Sequence, residues 1–281
     1  MIAATLGKSP FDGLSPFPFS VKIEPLSRKF KAMHEVVLCR VSAGVCTLTL
    51  NRPEKLNALS AESFRQIAAY LDSVDMRDLS CVVLNAAGRS FCAGHDLDDL
   101  ASGAEGGAIE RLEAGVIERL ANLSLPVIAV VQGHCFTGGL ELVLAADIII
   151  AASDAKFADT HAKWDLVPVW GLTQRLQRRV GRAKAAEMMF ASRVYSGDEA
   201  REMGLANIVV PAEHLEAEAQ RFCTDILANS SRSTRAMKKL MADTDGLSLA
   251  AGLAWELYHS EGHGPKMEAR ITAARRQSAR A

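Results

Sequence analysis

Along the first half of the chain, short β-branched runs alternate with longer stretches whose apolar residues recur at helical spacing. Residues 35–42 and 45–50 are β-branched, apolar-rich segments on either side of Ala43-Gly44, which predicts a hairpin-like pair of strands. Ser60 then stands where a helix cap belongs, and Phe64, Ile67, Ala68 and Leu71 fall on one face of a helix running to about residue 74. The runs Cys81-Val82-Val83-Leu84 and Val127-Ile128-Ala129-Val130-Val131 read as buried strands, and 147–151 as a third. Helices are expected at 108–122 and 138–145 between them. That order implies βαβ crossovers and a largely parallel sheet, an α/β fold. From about residue 172 the pattern turns helical, over 172–179, 182–191, 198–203, 213–228, 232–241, 247–260 and 266–278. Ser196-Gly197-Asp198-Glu199 makes a capping box at the head of one of these helices.

The pattern suggests an α/β core over 33–200 and a helical region over 201–281. Residues 1–32 differ: Pro10, Pro16, Pro18 and Pro25 interrupt them, which spoils the amphipathic helix a transit peptide needs. They read as a poorly ordered extension, or as sequence upstream of a working start at Met33.

Composition narrows the class. Of 281 residues, 49% are hydrophobic and 23% charged, which describes a globular chain with a sizeable core. The formal net charge of −1 gives no electrostatic case for nucleic acid or an anionic membrane as partner. The longest apolar candidate, 140–152, is broken by Glu141 and Asp147, so no membrane span is expected. Six cysteines without a C-x-x-C pair fit reduced, buried thiols and a cytoplasmic protein, with a mitochondrial location open.

Two glycine-bearing loops carry the candidate chemistry: Ser90-Phe91-Cys92-Ala93-Gly94-His95-Asp96-Leu97 and Gly133-His134-Cys135-Phe136-Thr137-Gly138-Gly139-Leu140-Glu141. Each follows a buried strand and leads toward a helix, so their main-chain N–H groups can converge on one point as an oxyanion hole. With Leu48-Thr49-Leu50-Asn51-Arg52-Pro53-Glu54-Lys55-Leu56-Asn57-Ala58-Leu59 before them and Thr173-Gln174-Arg175-Leu176 within 168–181 after them, the matching segments lie in order across about residues 35 to 260. On these residues the chain resembles the crotonase superfamily, the enoyl-CoA hydratase/isomerase family.

The resemblance implies a crotonase-like spiral of ββα units whose C-terminal helical region builds trimers or hexamers. It implies an acyl-CoA thioester as substrate, coenzyme A arriving with that substrate and no other cofactor, and no metal. The reaction implied first is addition of water to a 2-enoyl-CoA through an enolate. An acyl-CoA-binding member without hydratase activity stays open, as does another enolate reaction such as isomerisation, thioester hydrolysis or decarboxylation. The implied oxyanion donors are the N–H groups of His95 and Gly138, with Glu141 as general base or acid. His161 stands where family hydratases carry a second glutamate; it either relays protons or lines the pocket, and Asp159 and Asp165 miss that position. Coenzyme A would lie along Lys55 to Leu59 and the loop of Ala93, Asp96 and Leu97, touching Lys55, Ala58, Ala93, Asp96 and Leu97. Lys55 or Arg52 would meet a phosphate. Trp164, Val167, Val169 and Trp170 would wall an acyl pocket, or serve as core. Cys92 reads as a buried thiol rather than a nucleophile.

Overall fold

The computed structural model describes residues 35–96, 99 and 107–278. The expected extension 1–32 and Leu97 lie outside them. Strands β1 (Val37–Ser42) and β2 (Val45–Leu50) pair antiparallel from Val37 opposite Leu50 to Ser42 opposite Val45. Ala43 and Gly44 turn between them with φ of 48° and 81°, the positive pair a tight hairpin requires.

β2 runs parallel to β3 (Cys81–Ala86), and β3 parallel to β4 (Val127–Val131). Beyond β4 lie β6 (Ile148–Ala152) and β9 (Ile208–Val210), also parallel, which complete the order β1-β2-β3-β4-β6-β9. All five residues of β4 are buried, as a central parallel strand covered on both faces must be. A second sheet joins β5 (His134–Phe136) parallel to β7 (Lys156–Ala158), with β8 (Tyr195–Ser196) antiparallel to β7. The strands β5, β7, β8 and β9 have two or three residues each, too few to show an alternation, and were not expected from the pattern.

Helix α1 (Ala61–Ser73) begins at Ser60, whose hydroxyl accepts from Ser63 N, and buries Phe64, Ile67 and Leu71. Helices α2 (Gly107–Ala121) and α3 (Gly138–Val143) follow, then α4 (Leu172–Val180), α5 (Arg182–Ala191), α6 (Gly197–Glu202) and α7 (Leu215–Ala228). The Ser196–Glu199 capping box forms at α6. These elements belong to one compact unit ending at Ser231. A second unit, from Arg232, holds most of α8 (Ser231–Asp243) with α9 (Leu249–His259) and α10 (Met267–Ser278). Within it, the Arg232 guanidinium meets Glu261 Oε2 at 3.0 Å, and Met241, Leu249, Leu257 and Tyr258 are exposed. Among the described residues, no helix is long and apolar enough to cross a membrane.

Candidate active site

The first loop is held by the segment 52–59. Leu56 and Asn57 both take positive φ, 50° and 54°, and the Asn57 side chain fixes the bend. Its Nδ2 donates to Ala87 O and Ser90 O at 2.8 Å each, and its Oδ1 accepts from Arg52 N at 2.8 Å. The Arg52 guanidinium donates to Ala58 O at 2.8 Å and pairs with Asp96 at 2.7 Å. Main-chain bonds then stitch the loop in place: Ala93 N to Leu56 O, Leu59 N to Gly94 O, and Asp96 N to Leu59 O. On its other side Cys92 N donates to His134 O, and Phe136 N donates to Cys92 O. Position 95 is thus set by two elements from distant parts of the sequence. Asn57→Ala is expected to lower stability by about 2–4 kcal/mol, because it strands buried acceptors and puts alanine at a left-handed position. Urea unfolding checks this; a loss within 0.5 kcal/mol (about the spread of neutral surface changes) would mean the bend holds without the amide.

The second loop ends in a strained residue. Thr137 has φ 50° and ψ −111°, a conformation β-branched residues rarely adopt. It is held by its N–H on Ala158 O at 2.9 Å and by its hydroxyl, 2.6 Å from that of Thr160. This turn presents Gly138 as the first residue of α3, where helix N–H groups lack intrahelical partners and the dipole favours negative charge. A Cβ on Gly138 would lie 3.4 Å from His95 N and 2.6 Å from Trp170 Cζ3. The Gly138 main chain therefore stands directly beside the His95 amide, under the Trp170 ring. That ring meets Phe64 and His95 edge-on, with centroids 4.9 Å and 5.1 Å apart. A Cβ on Gly139 would fall 2.7 Å from Cys92 Cβ, so the two loops touch through a second glycine. Cys92 is fully buried and burial pushes its thiol up to about 12, as an inert core thiol requires. All six cysteines are buried and free.

One turn into α3, Glu141 is 2% exposed. Its Oε1 accepts from Trp170 N at 3.0 Å and Leu172 N at 3.2 Å, and its Oε2 lies 3.6 Å from His161 Nε2. Burial pushes the carboxyl up to about 7, against the pull of His161 and the two main-chain donors. His161 Nδ1 in turn lies 2.6 Å from Asp159 Oδ1, which also accepts from His161 N at 3.2 Å. Asp159, His161 and Glu141 therefore form a connected chain, and Asp159 is 1% exposed. In the sequence this aspartate stands two residues before the position at which family hydratases carry the glutamate. Its spacing of two residues from a histidine after a strand was the signal available.

Ala93, His95, Gly138, Glu141 and His161 all line one cavity of about 190 Å³. Trp164, Val167, Val169 and Trp170 line it too, with Trp170 buried and the other three exposed. Glu113 of α2, which the sequence reading did not single out, reaches the same cavity. Lys55, Ala58 and Asp96 do not line it: Lys55 is exposed on the turn, Ala58 half-buried, and Asp96 buried against Arg52.

Residues 40–268 match the family model described as enoyl-CoA hydratase/isomerase. The 1,2-epoxyphenylacetyl-CoA isomerase of Escherichia coli K12 is 40% identical over 196 residues, covering 67% of this chain and 75% of that one. The crystal structure of enoyl-CoA hydratase from Bacillus anthracis superposes with a TM-score of 0.81 at 29% identity, covering 86% of this chain and 96% of that one. A Thermobifida fusca YX protein solved in complex with acetoacetyl-CoA superposes with a TM-score of 0.74 at 25% identity, covering 85% and 95%.

Proposed function

Because this chain belongs to the enoyl-CoA hydratase/isomerase family, whose members are enzymes processing acyl-CoA thioesters, we propose that it adds water to the double bond of a 2-enoyl-CoA. One observation carries this reading: a buried carboxylate, Glu141, stands beside an imidazole, one helical turn from two adjacent loop amides. The thioester oxygen would sit between the N–H groups of His95 and Gly138, where charge builds as the enolate forms. Ionised Glu141 takes a proton from water as its oxygen bonds to the β-carbon. The enolate then collapses, taking a proton at the α-carbon from Nε2–H of His161, which enters the cycle with both ring nitrogens protonated. Asp159 accepts from Nδ1–H, so Nε2 is the nitrogen facing Glu141 and the cavity. Passage of the Glu141 proton across the 3.6 Å gap to His161 restores the starting state.

Coenzyme A would arrive with the substrate, its carrier portion along Lys55, Ala58, Ala93, Asp96 and Leu97, with no further cofactor. Self-association as a trimer or hexamer through the C-terminal helices, 201–281 in the expected division, is supported by the exposed apolar residues Leu249, Leu253 and Leu257. Six buried free thiols support a reducing compartment such as the cytoplasm.

The test is hydration of crotonyl-CoA by purified protein. Turnover above a Glu141→Gln control supports the reading. Binding of crotonyl-CoA with no such turnover would instead support a binding member of the family, a reading favoured by the imidazole in place of a second glutamate. His161→Gln is expected to lower kcat about 10²-fold with KM little changed, the usual size for a lost proton carrier. Asp159→Asn is expected to lower kcat about tenfold and to change the pH profile, because the amide no longer fixes the imidazole tautomer. An unaltered rate in both would leave His161 as pocket lining.

A further inference from the structure

The hydration reading uses the main-chain N–H of His95 and leaves its side chain, and Glu113, without a task. Glu113 lies on α2, is 1% exposed, and lines the cavity. Its Oε1 stands 3.4 Å from His95 Nε2, the one hydrogen-bond partner of this carboxyl among the described residues. A carboxylate offers about four acceptor positions, and buried ones are normally filled by two or more short bonds. Glu141 illustrates the contrast, with Oε1 taking two main-chain donors and Oε2 facing an imidazole. Glu113 is therefore a buried acceptor with capacity to spare, turned toward space a ligand would occupy.

We propose that Glu113 and the His95 imidazole recognise a hydroxyl carried on the acyl chain beyond the reacting carbons, so that the preferred substrates are hydroxyacyl-CoA thioesters. This rests on the acyl-CoA reading above and deepens it. A hydroxyl donates to an acceptor position that Glu113 has to spare, and its oxygen lies beside the His95 ring. A plain alkyl chain would cover the carboxylate and remove its water without replacing it, which is costly for a charged group. A carboxylate-ended chain would meet Glu110, Glu113 and Glu141 around one cavity. The imidazole is positioned for this role by the edge of Trp170, 5.1 Å from it.

Saturated thioesters, which cannot be hydrated, separate recognition from turnover. Calorimetric titration of the full chain with 6-hydroxyhexanoyl-CoA and with hexanoyl-CoA is expected to show the hydroxy compound bound at least about tenfold more tightly, as a hydrogen bond to a charged group allows. Glu113→Leu is expected to erase or reverse that preference, and Glu113→Gln, which keeps the shape and one acceptor, to narrow it. Equal binding of the two thioesters by the unaltered protein would overturn the proposal, as would a preference that survives in Glu113→Leu. Tighter binding of 6-aminohexanoyl-CoA than of the hydroxy compound would also overturn it, in favour of a cationic group. If hexanoyl-CoA binds and the hydroxy preference is missing, only this proposal fails. If neither thioester binds, the acyl-CoA reading falls with it.

Discussion

Glu141→Gln is expected to lower the rate of crotonyl-CoA hydration by about 10³-fold or more while leaving thioester binding nearly intact. Glutamine keeps the acceptor for Trp170 N and Leu172 N, so the cavity wall survives and what is lost is the group that takes a proton from water. Burial pushes the Glu141 carboxyl up to about 7, and this gives the prediction a pH signature. The base acts ionised, so kcat/KM for hydration should show a limb that rises with pH through about 7. The limb should vanish in the variant. Stability moves in the opposite sense. A carboxyl whose pKa is raised by folding favours the folded state when protonated, so its contribution is full below 4.5 and is lost as pH rises through about 7. At pH 8 the buried charge should cost about 3 kcal/mol, so Glu141→Gln should unfold at higher urea than the unaltered protein there, with the gain gone below pH 4.5. A variant with unchanged turnover would remove Glu141 from the chemistry. A limb that persists in the variant, with no gain in urea midpoint at pH 8, would mean that the carboxyl is ordinary.

Gly138→Ala carries the second large effect. The added methyl would lie 3.4 Å from His95 N and 2.6 Å from Trp170 Cζ3, which is where the thioester oxygen is proposed to rest. It would block the space between the two amides and push the Trp170 ring, and that ring also braces His95. Loss of oxyanion stabilisation of this kind costs about 10²–10³ in rate. Gly138 does not need a positive φ, unlike Gly133 or Gly171, so alanine there should leave the chain folded. The expected result is a fall in kcat of about 10²-fold or more with near-native circular dichroism and urea midpoint. A fall of less than tenfold would argue that the oxygen rests elsewhere, and with it the role given to His95 N–H would go.

The parallel core was legible because β3, β4 and β6 are long apolar runs, and α1 because Ser60 and a one-sided stripe mark it. The two loops were legible as glycines at 94, 138 and 139 after buried strands, with Glu141 one helical turn on, and it was the family resemblance that implied one site for them. The short strands β5, β7, β8 and β9 were not, since two or three residues hold no period and exist only because a neighbouring strand offers them hydrogen bonds. The same limit hid the partners of the two histidines. His161 was visible as an imidazole in a glutamate's place, but its bond to Asp159 and its approach to Glu141 depend on β7 being laid beside β5. Glu113 reads as one more charged residue on an amphipathic helix until that helix is placed against the His95 loop. Local patterning records which face of each element is buried, and so decided the sheet and the two loops. Which polar side chains meet across a cavity is a relation between segments far apart in the chain, and only their packing together decided it.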